Sequence, residues 1–189
     1  ISGSDLEGLQ IGDATDVVYK AIDIVAVGNT VKNSGTTGSN RDGIRLQSTA
    51  TCIINGNRCY DDQDTKTQTS GIHVNSDSNS SVAHNIVVGN KTNGIGGTNS
   101  GPYIRYNIGH VTENSGTGTI NSGATSATIT HGLAVTPAAK DITITFTENT
   151  TADPGNIWVD TLGATTFQVN CRTDPGASNL DFSWQAIVH

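Results

Sequence analysis

Apolar and polar residues alternate in short segments over the first hundred residues, and these segments recur along the chain. A glycine followed by isoleucine or leucine opens each segment, at Gly8-Leu9, Gly43-Ile44, Gly71-Ile72 and, in a weaker copy, Gly94-Ile95. A second phrase in each repeat places an asparagine two residues before an apolar or small residue, at Asn29, Asn57, Asn85 and Asn107. Alternation with period 2, repeated along the chain without a helical period, predicts a β-solenoid.

The spacing between the two phrases is nearly constant. Fourteen residues separate Gly43 from Asn57 and Gly71 from Asn85, and thirteen separate Gly94 from Asn107. The first repeat is longer, which predicts a seven-residue insertion around residues 13–20. Each repeat is therefore expected to form one coil that contacts only its neighbours.

Alternation also predicts which side chains face inward. In the strand after Gly43, Ile44 and Leu46 share one face, and Arg45 and Gln47 share the other. Equivalent positions in successive repeats predict two internal apolar columns: Ala26, Ile54, Val82 and Ile104, and Val31, Cys59 and Val87. The corner asparagines are predicted to be structural: Asn29, Asn57, Asn85 and Asn107. Asparagine tolerates left-handed backbone angles, and stacked amides bond to each other.

These repeats resemble the right-handed parallel β-helix of the pectate-lyase-like superfamily, including its short Asn-x-Val/Ile-x-Asn/Asp coils. Residues 29–33 and 57–61 carry that pattern, and residues 85–89 have lost its last polar position. The resemblance covers residues 1–112, about four coils. It implies the fold and leaves the function open, because lyases, hydrolases, epimerases and phage tailspikes share this architecture.

A different pattern follows the repeats. Residues 113–118 are rich in glycine, serine and threonine, which predicts a linker. Longer alternating segments separated by turn clusters then predict a small antiparallel β-sandwich over residues 119–189. This part resembles C-terminal modules of phage tail and tailspike proteins and, more loosely, H-type lectin domains. The resemblance implies a module for trimerisation, for glycan contact, or for both.

The composition of the chain argues against several classes of binding partner. The net charge is −7 with only 10 lysines and arginines, which argues against electrostatic binding to nucleic acid or to an anionic membrane. Apolar runs are too short for membrane insertion, and no signal peptide is recognisable. The three cysteines form no CxxC pair, so we predict no disulfide framework, metal site or cofactor. Because Ile1 falls inside a coil, we expect a fragment with missing upstream coils.

The outward columns of the repeats supply candidate catalytic residues. Glu7 and Asp42 precede equivalent glycines, and adjacent coils lie about 5 Å apart, close to the carboxyl separation of a retaining glycosidase. His73 is a candidate general base, and with Arg45 it could neutralise a sugar carboxylate during β-elimination. A solenoid must also expose polar groups to water, and for Glu7 and Asp42 we favour that structural interpretation.

A candidate ligand-binding strip follows the same columns. Arg45 and His73 share one register position, and Gln47 and Asn75 share the next outward position. A strip of this kind could bind the carboxylate of an acidic sugar. The alternative is that these residues are simply a polar face exposed to water. In the second module we favour a core or hinge position for Trp158, and an exposed ring would instead make it a candidate sugar-stacking residue.

One loop of the repeats carries three acidic residues. Asp61, Asp62 and Asp64 are close in sequence, but they lack the spacing of an EF-hand calcium loop. We favour a solvated acidic loop, and the sequence leaves open whether the three carboxylates bind a cation.

Two functional hypotheses remain. The first is part of a homotrimeric phage tailspike or tail fibre that binds cell-surface glycan, located on the virion tail or extracellularly. The second is a polysaccharide lyase, glycoside hydrolase or epimerase that uses the Arg45 and His73 face. Few aromatic residues in the repeats and no clear catalytic motif favour binding over catalysis. The sequence leaves the glycan and the host open.

Overall fold

The computed structural model describes residues 1–3, 6–12, 20–35, 41–97, 103–147 and 150–188, with the side chains of residues 76–78 left out. These residues form strands and turns, together with a 3-10 helix at Ala139–Asp141. The prediction of an all-β chain is therefore confirmed. The chain divides into two compact units, Ile1–His110 and Val111–His189.

The first unit is built from parallel strands. They are β1 (Leu9–Ile11), β2 (Ala21–Ile22), β3 (Val25–Val27), β4 (Thr30–Lys32), β5 (Ile44–Ala50), β6 (Ile53–Asn55), β7 (Arg58–Tyr60), β8 (Ser70–Ser78), β9 (Ser81–Ala83), β10 (Asn93–Gly97) and β11 (Tyr103–Arg105). One sheet has the order β1-β5-β8-β10 with β2 also paired to β5, a second has the order β3-β6-β9-β11, and a third pairs β4 with β7. The path of each of the first two sheets thus takes one strand from each successive repeat, and the third continues beyond β7 as isolated bridges from Arg58 to Ile86 and from Ile86 to Ile108.

The predicted register is confirmed. Ile44 pairs with Leu9 on one side and Ile72 on the other, and Ile72 pairs with Ile95. The apolar columns are buried as predicted: Ala26, Ile54, Val82 and Ile104, and Val31, Cys59 and Val87. Burial raises the pKa of the Cys59 thiol to about 12, so this cysteine packs as a small apolar residue. The insertion predicted at residues 13–20 lies almost wholly outside the described residues.

The repeated glycines are required by close backbone contact between repeats. A Cβ added at Gly8, Gly43 or Gly71 would lie 2.8, 2.6 or 2.9 Å from the carbonyl oxygen of the equivalent glycine in the next repeat. Those separations are shorter than any ordinary carbon–oxygen contact. The first glycine of each segment therefore lies where the backbone of the next repeat leaves no room for a side chain.

The asparagine corner differs from the prediction in its backbone. The left-handed angles belong to the residue before each asparagine, with φ of 70° at Gly28, 64° at Gly56, and 56° at both His84 and Tyr106. The asparagines themselves have ordinary negative φ, because their role is carried by the side chain.

The asparagine side chains form a ladder through the unit. The backbone N–H and Nδ2 of Asn29 donate to Oδ1 of Asn57 at 2.9 and 3.0 Å, and the same pair of bonds links Asn57 to Asn85 and Asn85 to Asn107. Nδ2 of Asn57 also donates to the Ala26 carbonyl at 2.9 Å. Each interior amide therefore ties its repeat to the one before it and to the one after it.

The second unit is antiparallel. Its strands are β12 (Glu113–Ile120), β13 (Ser126–Thr130), β14 (Ile142–Phe146), β15 (Ile157–Asp160), β16 (Thr166–Cys171) and β17 (Leu180–Ile187). They form two sheets with the orders β12-β17-β14 and β13-β16-β15. Both sheets contribute to one buried cluster, in which the rings of Phe167 and Trp184 meet edge to face with centroids 5.4 Å apart.

The linker predicted at residues 113–118 is wrong. These residues belong to β12, which pairs with β17 along its whole length, from Glu113 opposite Ile187 to Ile120 opposite Leu180. The glycines of this segment make room for aromatic rings, since a Cβ on Gly118 would lie 2.5 Å from Cζ of Phe182. Packing rather than flexibility therefore explains the composition.

Candidate functional site

The parallel register gathers the predicted catalytic residues into one charged cluster at the start of β1, β5 and β8. Nη1 of Arg45 lies 3.2 Å from Oε1 of Glu7 and 3.3 Å from Oδ2 of Asp42. Arg41 also reaches Glu7 at 3.3 Å, and Nδ1 of His73 lies 3.5 Å from the same Asp42 oxygen. Glu7, Asp42 and His73 are thus brought together around the Arg45 guanidinium.

Both carboxylates of this cluster are covered. The side chains of Glu7 and Asp42 are 7% and 5% exposed, whereas those of Arg45 and His73 are 25% and 26% exposed. The expectation that Glu7 and Asp42 form a solvated outward face is therefore wrong. The more exposed side chains of Arg45 and His73 pair with these covered carboxylates, because buried carboxylates need cationic partners.

The two carboxyl groups have pKa values shifted in opposite directions. Burial alone would raise the pKa of Glu7, but its own backbone amide and the cations of Arg41 and Arg45 outweigh burial and lower it. Burial raises the pKa of Asp42, and His73, Ser70 and Arg45 offset this only in part. Catalytic acid–base pairs often consist of two groups whose pKa values are shifted in opposite directions. Here, however, both groups share a single guanidinium nitrogen as partner.

The predicted ligand-binding strip is partly assembled. Arg45 pairs in register with His73, and Gln47 pairs with Asn75. Nε of Arg45 donates to Oε1 of Gln47 at 3.1 Å, which holds the guanidinium along the strip. Arg45 therefore contacts Glu7, Asp42 and Gln47 at the same time, and its side chain is only partly exposed to solvent.

Two carboxylates of the acidic loop, those of Asp61 and Asp62, bind other groups of the protein. Asp61 is buried and accepts the backbone N–H groups of Gln63, Thr67 and Gln68 at 3.0, 2.7 and 2.8 Å. Asp62 forms an ion pair with Lys32 at 3.0 Å. Solvation was therefore the wrong expectation for Asp61, which organises the loop. Within the described parts of the chain, no cluster of metal-ligating side chains is found.

Trp158 lies on the solvent face of β15, and the residue is 45% exposed. Its neighbours Ile157 and Val159 pack against the core of the second unit, so alternation turns Trp158 and Asp160 outward. Nε1 of Trp158 donates to Oδ2 of Asp160 at 2.9 Å. That bond fixes the orientation of the indole in a residue that remains partly exposed to solvent.

Asp160 is the centre of a hydrogen-bonded network around the indole. Its Oδ1 accepts Nδ2 of Asn170 and Oγ1 of Thr161, both at 2.9 Å. The hydrogen bonds from Trp158, Asn170 and Thr161 hold the pKa of Asp160 below its usual value. Thr161 has φ of 49°, which is unusual for a β-branched residue, and its hydroxyl oxygen lies 3.3 Å from Oε1 of Gln168.

Sequence reasoning missed the partners of Trp158. The alternating segment Ile157–Asp160 signals that Trp158 and Asp160 share a face. Asn170 could not be placed beside them, because it comes from β16 and its position depends on the register in which Asn170 pairs with Trp158.

A second polar surface covers the outer face of the other sheet. An open cavity of about 430 Å³ lies over β12, β14 and β17, and hydroxyl and amide side chains line it: Ser115, Thr117, Thr143, Thr145, Ser183 and Gln185. Alternation explains the hydroxyls, because the inward positions of the same strands carry glycine and aromatic residues. The sequence showed this alternation, but strand order was needed to join the residues into one surface.

Across the described ranges of the chain, no helix is long and apolar enough to cross a membrane.

Two solved phage proteins are similar to this chain. One is the tailspike protein gp49 of Pseudomonas phage LKA1, with 16% identity over 96% of this chain and a TM-score of 0.45. The other is the tailspike gp61 of Pseudomonas phage phi297, with 11% identity over 95% of this chain and a TM-score of 0.44. The chain spans 34% and 40% of their respective lengths. No protein-family model and no curated protein sequence matches this chain.

Proposed function

We propose that this chain is part of a homotrimeric, tailspike-like receptor-binding protein of the virion tail that binds cell-surface polysaccharide. In this proposal the first unit is a right-handed parallel β-helix of about four coils, and the second is an antiparallel β-sandwich. Three parallel sheets with a repeated register support the first assignment. Two antiparallel sheets around one core support the second.

The exposed indole of Trp158 is the observation that carries the binding proposal. A sugar ring presents an apolar C–H face that packs on an aromatic ring, and hydroxyls at its edge that need polar partners. The Asp160 network holds the indole and supplies fixed acceptors and amides beside it. Because these side chains are already positioned, little conformational entropy is lost when a ligand binds.

The experiment uses an array of purified bacterial capsular and O-antigen polysaccharides. Trp158→Ala is expected to weaken binding about tenfold, as the loss of one aromatic stacking contact predicts. Its melting temperature should stay near that of the parent, since the ring is half exposed. Tyr103→Ala, which removes an exposed aromatic ring from the other unit, is the matched control. Unchanged binding by Trp158→Ala would refute the proposed site.

Homotrimer formation is supported by exposed apolar residues on the outer face of β3 and β6. Val25 pairs with Ile53 in register, both are exposed, and Val27 is exposed beside them. Adjacent exposed apolar side chains of this kind can mark a surface that packs against another protein chain. We expect light scattering at micromolar concentration to give a mass three times that of the 19.6 kDa chain. A monomer mass would contradict the proposal.

A polysaccharide-degrading activity is the second candidate. The opposed pKa shifts of Glu7 and Asp42, with His73 adjacent, favour it as an acid–base site. Assays of the parent for new reducing ends and for unsaturated uronate products test it directly. We expect no product, because Nη1 of Arg45 pairs with both carboxylates at once. Product that disappears in Asp42→Asn would establish the enzymatic alternative.

A further inference from the structure

Two aromatic residues occupy backbone positions that the repeat otherwise fills with glycine. The residue before each ladder asparagine is left-handed, and it is Gly28 and Gly56 in the first two repeats but His84 and Tyr106 in the next two. Glycine adopts this backbone at no steric cost, whereas any residue with a Cβ is disfavoured there. A bulky ring such as that of Tyr106 is a genuine outlier in this conformation.

The two rings form a stacked pair on the surface. Their centroids are 5.3 Å apart with an interplanar angle of 26°, and Tyr106 is 53% exposed. Nδ2 of Asn55, from the preceding repeat, lies 3.3 Å from Nδ1 of His84. The unfavourable backbone is therefore not offset by burial of the rings. Strained backbone of this kind clusters at functional sites.

We propose that His84 and Tyr106 form a second carbohydrate-binding site, on which a pyranose ring of a surface polysaccharide stacks. The half-exposed ring offers an apolar face, and the Asn55 amide offers polar contacts at its edge. The net charge of −7 disfavours a phosphate polymer as the stacked partner. This site shares no residue with the Trp158 surface, and it rests on the proposed function only for the class of ligand.

The test combines polysaccharide binding with stability. Tyr106→Gly and His84→Gly are expected to weaken binding on the polysaccharide array about two- to tenfold, the range for one aromatic contact. Their melting temperatures should equal or exceed that of the parent, because glycine relieves the left-handed backbone. Tyr106→Asn, which tolerates this backbone without a ring, should also lose binding. Tyr106→Phe should retain it.

Tyr103→Ala is the matched control, since it removes an exposed tyrosine from an ordinary strand position in the same repeat. Full binding by Tyr106→Gly while Trp158→Ala loses binding would overturn this inference and leave the proposed function intact. Weaker binding by Tyr106→Gly together with full binding by Trp158→Ala would support the His84 and Tyr106 site and refute the Trp158 site. A lower melting temperature, or a smaller solution mass, for Tyr106→Gly would overturn it by showing that the ring is structural or packs between copies. A parent that binds no polysaccharide would contradict both proposals.

Discussion

The corner asparagine of each interior repeat uses both ends of its amide. In Asn57, Oδ1 accepts two bonds from Asn29, and Nδ2 donates to Asn85 and to the Ala26 carbonyl. A buried side chain with this many partners leaves several groups unpaired when it is removed. The sequence predicted the position of these asparagines, but not which residue of the corner takes the left-handed backbone.

Asn57→Ala is expected to lower the free energy of unfolding by about 1–3 kcal/mol, because buried polar groups lose their partners. Chemical denaturation measures the change. Asn29→Ala is the matched control, since Asn29 is exposed and the structure records no equivalent bond to its Oδ1 from an earlier repeat among the described residues. Equal losses in the two variants would show that the ladder does not stabilise the interior corner.

The lowered pKa of Asp61 leads us to expect that the protein is less stable in acid. Burial alone would raise its pKa, but the backbone N–H groups of Gln68, Gln63 and Thr67 outweigh burial and lower it. A carboxylate whose native pKa lies below its unfolded value stabilises the fold fully above that unfolded value, about 4. The contribution is lost as the pH falls through the native pKa.

The measurement is chemical denaturation between pH 7 and pH 2 for the parent and for Asp61→Asn. Asparagine turns an N–H donor towards backbone donors, so we expect the variant to be about 1–3 kcal/mol less stable at pH 7. The difference from the parent should shrink as the pH falls below about 4. A difference that is constant with pH would contradict an ionised Asp61 in the native loop.

Strand β12 shows what sequence patterns can and cannot predict at the level of an element. The repeats of the first unit were predictable, because each strand pairs with a copy of itself one repeat away. The segment 113–118 has the composition of a linker, and only its partner β17, more than sixty residues later, makes it a strand. Its inward glycines pack against Trp184 and Phe182, which no local pattern reveals.

Gly118→Val should destabilise the second unit by about 1–3 kcal/mol through overpacking. A Cβ on Gly118 would lie 2.5 Å from Phe182 and 2.6 Å from Ile129. Gly163→Ala is the control, because its nearest neighbour would be 3.4 Å away. Thermal unfolding followed by near-ultraviolet circular dichroism measures both variants. A Gly118→Val protein as stable as the control would mean that the segment is not packed as a strand.

The whole molecule combines a repetitive unit with an antiparallel one, and its candidate sites follow from that division. In the parallel unit, register places equivalent residues side by side, so the cluster of Glu7, Asp42, Arg45 and His73 could be assembled from the sequence. The burial of Glu7 and Asp42 in this cluster could not be predicted from the sequence, because it depends on the conformations of the arginine side chains. In the antiparallel unit, Trp158 was identifiable but its Asp160 network depends on pairing between strands.

Acrylamide quenching of tryptophan fluorescence tests the central claim, glycan binding at Trp158, most directly. The chain has two tryptophans, and Trp184 is only 5% exposed, so the quenchable emission comes from Trp158. Saturating the parent with a polysaccharide that it binds on the array should shift the emission to shorter wavelength and lower the quenching constant several-fold. Unchanged quenching while the polysaccharide is bound would contradict the claim and place the glycan elsewhere on the molecule.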